Sequence, residues 1–160
     1  MQKTTMALWF AATMGMASGA AHAARGVSCE NELRNVNTAL QENGAAPLND
    51  IKGAVQVLRS LRSQGRLPAR YITTDEARRL GWSGRDTDTL WGLKPTNQKW
   101  IGGDAYSSRV FPHRARWYTA DLEVQRGYRS NKRLAYSLQS PRRFVSTDGG
   151  QHWMEVDPCQ

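Results

Sequence analysis

Cysteine and histidine are scarce in this chain, with two of one and three of the other among 160 residues. No cluster of them has the spacing of a zinc site, so no metal is expected, and no cofactor is implied. Acidic residues are outnumbered, 14 against 22 lysines and arginines, leaving a formal charge of +8. A small protein with that balance suits a polyanionic partner such as RNA, DNA, a phospholipid surface or an anionic glycan. Beyond the N-terminus there is no apolar run long enough to cross a bilayer, so no membrane-spanning segment is expected there. Internal repeats and low-complexity tracts are absent too, which excludes a repeat array.

What is present begins with a leader. Lys3 provides a short basic region, Met6 to Met16 an apolar one, and Ala21-His22-Ala23 a cleavage site. Residues 1–23 read as a signal peptide, and the alternative is an uncleaved anchor. The mature chain, from Ala24, is expected to be secreted or periplasmic, one domain in size, and monomeric. Cys29 and Cys159 lie near its two ends. In an oxidising compartment such a pair is expected to form one disulfide, since a metal site would need further ligands.

Residues 24–46 form an N-terminal extension. Leu33, Val36 and Leu40 have helical spacing, which predicts a helix over Cys29–Asn43 that stops at Gly44. Residues 47–160 form the main domain. Ile51, Ala54, Val55, Leu58 and Leu61 make one apolar stripe, predicting a helix over Asn49–Gln64 ended by Gly65. Arg59, Arg62 and Arg66 read as its solvated face. Leu67–Ile72 reads as a connector. Thr73-Thr74-Asp75-Glu76 is a capping box that starts a short helix, Thr74–Leu80. Ser83–Gln98 reads as a surface loop with Leu90, Trp91 and Leu93 packed inward. A strand starts at Trp100. Trp117 to Trp153 reads as three antiparallel strands joined by polar turns, with Arg129 and Arg133 in the middle one. Ser146 to Trp153 fits the pattern S-x-D-x-G-x-x-W, an Asp-box turn in which Asp148 binds turn amides and Trp153 packs inward.

Several blocks together carry a family likeness. They are Leu67-Pro68, Tyr71-Ile72-Thr73, Glu76-Ala77, Leu80-Gly81-Trp82, Ile101-Gly102-Gly103-Asp104, Trp117 to Asp121, Gly127-Tyr128-Arg129 and Thr147-Asp148. With them the chain resembles the bacterial barnase-like (N1-type) guanyl-specific ribonucleases over roughly Ile51 to Val156. The resemblance implies an α+β fold, with N-terminal helices packed on a twisted antiparallel sheet of about five strands. It implies an endoribonuclease that cleaves single-stranded RNA by attack of the ribose 2′-hydroxyl on phosphorus, and an acidic protein inhibitor of the barstar type as a possible partner. Arg129 and Arg133 match the family's phosphate arginines, Arg109 its loop arginine, Asp104 its structural aspartate and Asp121 the aspartate that buttresses the arginines. Thr119 stands where the family has its general base, and Gly149 where it has its general acid. Thr74 replaces a lysine, and Val110 replaces the glutamate that pairs with guanine.

Neither Thr119 nor Gly149 can move a proton near neutral pH. Glu123 is expected on the same strand face as Thr119 but about 13 Å away along the strand. His152 is three residues past Gly149, an offset that points to the opposite face of a regular strand. His113, in the loop between Arg109 and Trp117, which is about four residues shorter than the one the resemblance implies, is the remaining candidate acid or base. Arg126 and Lys132 are expected to join Arg109, Arg129 and Arg133 on one sheet face, and Tyr106 and Tyr128 to offer stacking surfaces for bases. Two other readings stay open: a non-catalytic RNA- or polyanion-binding module, and a protein-interaction module on the same fold.

Overall fold

The computed structural model describes residues 26–160. The expected leader, residues 1–23, and the start of the mature chain lie outside them. Helix α1 spans Cys29–Glu42, and the Ser28 hydroxyl accepts the Asn31 amide at its start. Its buried stripe includes Leu33, Val36 and Leu40. Helix α2 spans Ile51–Gln64, capped by Asp50 and closed by Gly65 in the left-handed conformation. Arg59, Arg62 and Arg66 are exposed, and Arg62 Nη1 also donates to the Cys159 carbonyl at 2.8 Å. Helix α3 is Thr74–Arg79, and its Thr73/Glu76 capping box is formed in both directions.

Six strands make one sheet in sequence order: β1 Tyr71–Ile72, β2 Trp100–Tyr106, β3 Trp117–Asp121, β4 Arg133–Tyr136, β5 Arg143–Ser146 and β6 Met154–Val156. This is one more than the expected five or so. The addition is β1, inside the segment read as a connector. Two residues are too few for a period-2 signal, yet they pair in parallel with Trp100 and Ile101. All other neighbours are antiparallel. The fold is therefore α+β, with three α-helices and a mostly antiparallel open sheet among the described residues.

The sheet has two different faces. Tyr118, Ala120, Leu134, Tyr136, Val145 and Val156 pack with the apolar stripes of α1 and α2 in the main core. On the opposite face Trp117, Ala135 and Phe144 meet Phe111 in a second, aromatic cluster, with Tyr106 and Trp153 against it. A third cluster joins Ala77, Trp82, Leu90 and Ile101, with Trp91 packed against it. Leu93, expected inside, is exposed. It sits between two single-turn 3-10 segments, Leu90–Gly92 and Lys94–Thr96, of which Leu90 and Thr96 are the buried residues.

The Cys29–Cys159 disulfide is formed. Beside it, the Cys29 amide donates to the Gln160 carbonyl, and the Gln160 amide donates to the Val27 carbonyl. The first helix is thus tied to the end of the last strand by a covalent bridge and a pair of main-chain hydrogen bonds. No described helix is long and apolar enough to cross a membrane.

Candidate nucleic-acid interface

The site lies on the sheet face away from α1 and α2, and its centre is Asp121. This carboxylate is buried at the end of β3, with a side chain only 2% exposed. It accepts from Arg129 through Nε at 2.7 Å and Nη2 at 3.2 Å, and from the Ser130 amide at 3.2 Å. Arg133 Nε stands 3.6 Å away on the other side. One carboxylate thus holds two guanidinium groups side by side.

Arg129 was expected within a strand, yet β4 begins only at Arg133. That difference makes the site possible. Two residues four apart on one strand stand about 13 Å apart. Here Arg129 lies in the turn before the strand, so the chain folds back and both arginines reach Asp121. The turn is seated on the 83–98 segment. The Leu90 amide donates to the Gly127 carbonyl at 2.9 Å, and the Thr89 hydroxyl donates to the Arg126 carbonyl. Gly127 has φ +79°, and a Cβ there would lie 2.5 Å from both Thr89 Oγ1 and the Trp91 ring. Only glycine fits at that approach.

Burial works against the charge of Arg129, but Asp121, with help from Asp86 and Asp104, outweighs it and raises its pKa. Asp86 is an exposed carboxylate of the 83–98 segment, 3.6 Å from Arg129 Nη1. Arg133 donates from Nε to the Ser130 carbonyl and from Nη1 to the Gly149 carbonyl, both at 3.2 Å. Its Nη2 has no protein acceptor among the described residues. Arg129 Nη1 and Arg133 Nη2 are therefore the donors that an incoming anion would meet.

Thr119 pairs across the ladder with Ala135 on one side and Asp104 on the other. Its buried side chain makes no hydrogen bond among the described residues. Asp104 reaches this position through a bulge. The register steps from Gly102 opposite Ala120 directly to Asp104 opposite Thr119. Gly103, the extra residue, takes φ +94°, a conformation natural to glycine. Without the bulge Asp104 would face Tyr118 and the helices. With it, Asp104 joins Thr119 and Asp121 on the open face. There it accepts the Thr74 amide at 2.9 Å through Oδ1 and the Thr74 hydroxyl through Oδ2.

Gly149 contributes only main-chain groups. Its carbonyl takes Arg133, and its amide donates to the Asn131 carbonyl at 2.8 Å. The turn around it is the expected Asp box. Asp148 Oδ1 accepts from the Ser146 hydroxyl and from the amides of Gln151 and His152, while Oδ2 meets His152 Nδ1 at 2.6 Å. His152 is on this turn rather than on a strand, and its ring is 89% exposed. Burial alone would raise the Asp148 pKa. The hydrogen bonds from His152 and Ser146 outweigh that and bring it down to about 2. A depressed carboxylate stabilises the fold above its unfolded pKa, and this contribution fades as pH falls from about 4 to 2. Asp148→Asn should therefore destabilise the protein at pH 7 by roughly 1 kcal/mol, the one-third exposure of the side chain having been discounted. The gap between the variant and the parent should narrow as pH drops to 2. Urea midpoints at pH 7, 4 and 2 measure it.

The other expected site residues are more scattered. Arg109 is exposed on its loop and makes no ion pair among the described residues, and Arg126 is exposed as well. Lys132 turns away to Glu123, which does not lie on the strand face where it was expected. The strand ends at Asp121. Glu123 takes φ +52° and accepts the amides of Asn49 and Asp50, capping the start of α2. Tyr128 is exposed and free to stack. Tyr106 is built into the aromatic cluster and donates its hydroxyl to the Gly150 carbonyl. His113 is exposed and lines a cleft of about 590 Å³ with Tyr106, Arg116 and Trp117. Another cleft, of about 780 Å³, lies on the helix side between the end of α2 and the C-terminal segment. Its Arg62 and Arg143 donate to main-chain carbonyls, so it does not extend the interface. No group of three or more His, Cys, Asp or Glu among the described residues could hold a metal ion.

The site as built offers two fixed cations, two shielded carboxylates and an open, strand-lined floor. Such a surface can hold a phosphodiester and shield its charge. No protein-family model matches this chain.

Proposed function

We propose that this chain is a secreted ribonuclease-like protein on the microbial ribonuclease fold. It binds single-stranded RNA and cleaves it by attack of the 2′-hydroxyl on the adjacent phosphorus. The observation that carries this reading is the clamp at Asp121, which fixes Arg129 and Arg133 side by side on the open face of the sheet. A pair of preorganised guanidinium groups binds a phosphodiester and stabilises the charge that grows on its oxygens during transfer. Exposed Tyr128, next to Arg129, gives a base a ring to stack on. The basic charge favours encounter with a polyanion, and the disulfide suits an oxidising compartment.

A specific observation favours a second reading, RNA binding without cleavage. Position 119 has no carboxylate, position 149 has no imidazole, and the ring of His152 points mainly into solvent.

The test is cleavage of a fluorescent single-stranded RNA by the purified protein and by an Arg129→Ala/Arg133→Ala variant. The proposal expects cleavage by the parent and a loss of at least a hundredfold in the variant, in line with removal of electrostatic stabilisers. Salt-dependent binding with no cleavage would select the second reading. Absence of both would overturn the two together.

A further inference from the structure

With Thr119 unable to take a proton, the nearest carboxylate on the open face must be found elsewhere. Three are in play. Asp121 is buried beneath two guanidinium groups and the Ser130 amide, so its oxygens are occupied. Glu123 has left the face to cap α2. Asp104 is directly opposite Thr119 in the ladder, where paired Cα atoms are about 5 Å apart. It is half-buried and close enough to Arg129 to help hold that charge. Its two oxygens each accept from Thr74 and keep further lone pairs. The bulge at Gly103 is what turns it onto this face.

We propose that Asp104 is the general base of this protein, displaced by one strand from the position at which a carboxylate would be sought. The inference rests on the ribonuclease reading above. In the step it describes, an Asp104 oxygen takes the proton of the ribose 2′-hydroxyl. The 2′-oxygen forms a bond to the adjacent phosphorus while the bond from phosphorus to the 5′-oxygen breaks. The departing 5′-oxygen takes a proton from solvent water, and the products are a 2′,3′-cyclic phosphate and a free 5′-hydroxyl. Thr74 orients the carboxylate, and Arg129 and Arg133 hold the phosphate.

The experiment compares the full-length secreted protein with Asp104→Asn, Thr74→Val and the Arg129→Ala/Arg133→Ala variant on a fluorescent RNA, across a pH series. Asp104→Asn should lower kcat by about a hundredfold or more, the usual range for a lost general base, with KM unchanged or lower because a negative charge has gone. The rise of rate with pH in the parent should be lost in Asp104→Asn. Thr74→Val removes one of the two bonds that orient the same carboxylate but keeps the base, so it should lower kcat by less than Asp104→Asn does and keep the rise of rate with pH. Thermal melts identify any variant that fails to fold. In that event Asp104→Glu gives the second measurement: it keeps a carboxylate at this position and should cleave more slowly while keeping the rise of rate with pH, and cleavage by folded Asp104→Glu at the parent's rate with no dependence on pH would overturn the assignment. If Asp104→Asn cleaves like the parent while the double arginine variant is dead, the ribonuclease reading stands and the base assignment falls. Equal losses in Asp104→Asn and Thr74→Val would make Asp104 a positioning residue and overturn the proposal. If the parent does not cleave, both fail.

Discussion

Asp121→Ala is expected to lower stability by about 3–5 kcal/mol, the usual result of removing one partner from a buried ion pair. The side chain is 2% exposed and serves Arg129, Arg133 and the Ser130 amide at once. Its loss leaves two adjacent cations, both largely shielded from water, with no shared counter-charge. Small domains have about 5–15 kcal/mol in total, so the urea midpoint should fall steeply. The same variant separates positioning from charge counting in RNA binding. On charge alone, removing a carboxylate from a basic face should tighten binding to a polyanion. If instead the carboxylate aligns the guanidinium groups, binding should weaken by about tenfold, the range for a charge-assisted hydrogen-bonded pair. The milder Asp121→Asn keeps the shape and should show the same sign. Tighter binding by folded Asp121→Asn would mean that the arginines need no clamp.

Reducing the disulfide, or replacing both cysteines by alanine, should be at least as damaging. The bridge closes a loop with a sequence separation of 130. Loop-closure entropy for that span is about 5 kcal/mol at 25 °C, in the chain-entropy model. For a domain of this size that corresponds to a fall in melting temperature of roughly 10–20 °C. The effect acts mostly through the unfolded chain, so the native sheet should keep its circular dichroism at low temperature. A melting temperature unchanged by dithiothreitol, with free thiols verified, would show that the packing of α1 on α2 and β6 suffices without the bridge.

The helices were legible in the sequence because their signals are local. Leu33, Val36 and Leu40, the Thr73/Glu76 box and Gly65 each act within a turn or two of chain, and the structure places all of them as read. The strands from Trp117 onward were legible in outline for the same reason. Tyr71–Ile72 was not, since two residues become a strand only by meeting Trp100 and Ile101, about thirty residues away. The candidate site divides along the same line. The Asp box could be read from its spacing, whereas the contact of His152 with Asp148 could not, since His152 was read against a regular strand. The arginine pair was found as residue types, but its geometry was misread, because the clamp needs Arg129 off the strand. Glu123 and Asp104 owe their roles to partners at a distance, the amides of Asn49 and Asp50 for one and the bulge opposite Thr119 for the other. The bulge did have a trace in the sequence, the consecutive glycines of Ile101-Gly102-Gly103-Asp104. A single glycine in a strand can mark a kink, and a pair before a charged residue marks a change of face.

The bond between Cys29 and Cys159 also decides how the molecule meets force. A pull applied to segments outside these two residues runs through sulfur and never reaches the sheet. A motor that draws in an end can extend only what flanks the bridge before it must swallow a doubled chain. Cutting one loop between the cysteines would leave the two halves on a single covalent thread. In the oxidised state the stretch from Cys29 to Cys159 behaves mechanically as a ring, and in the reduced state as a string.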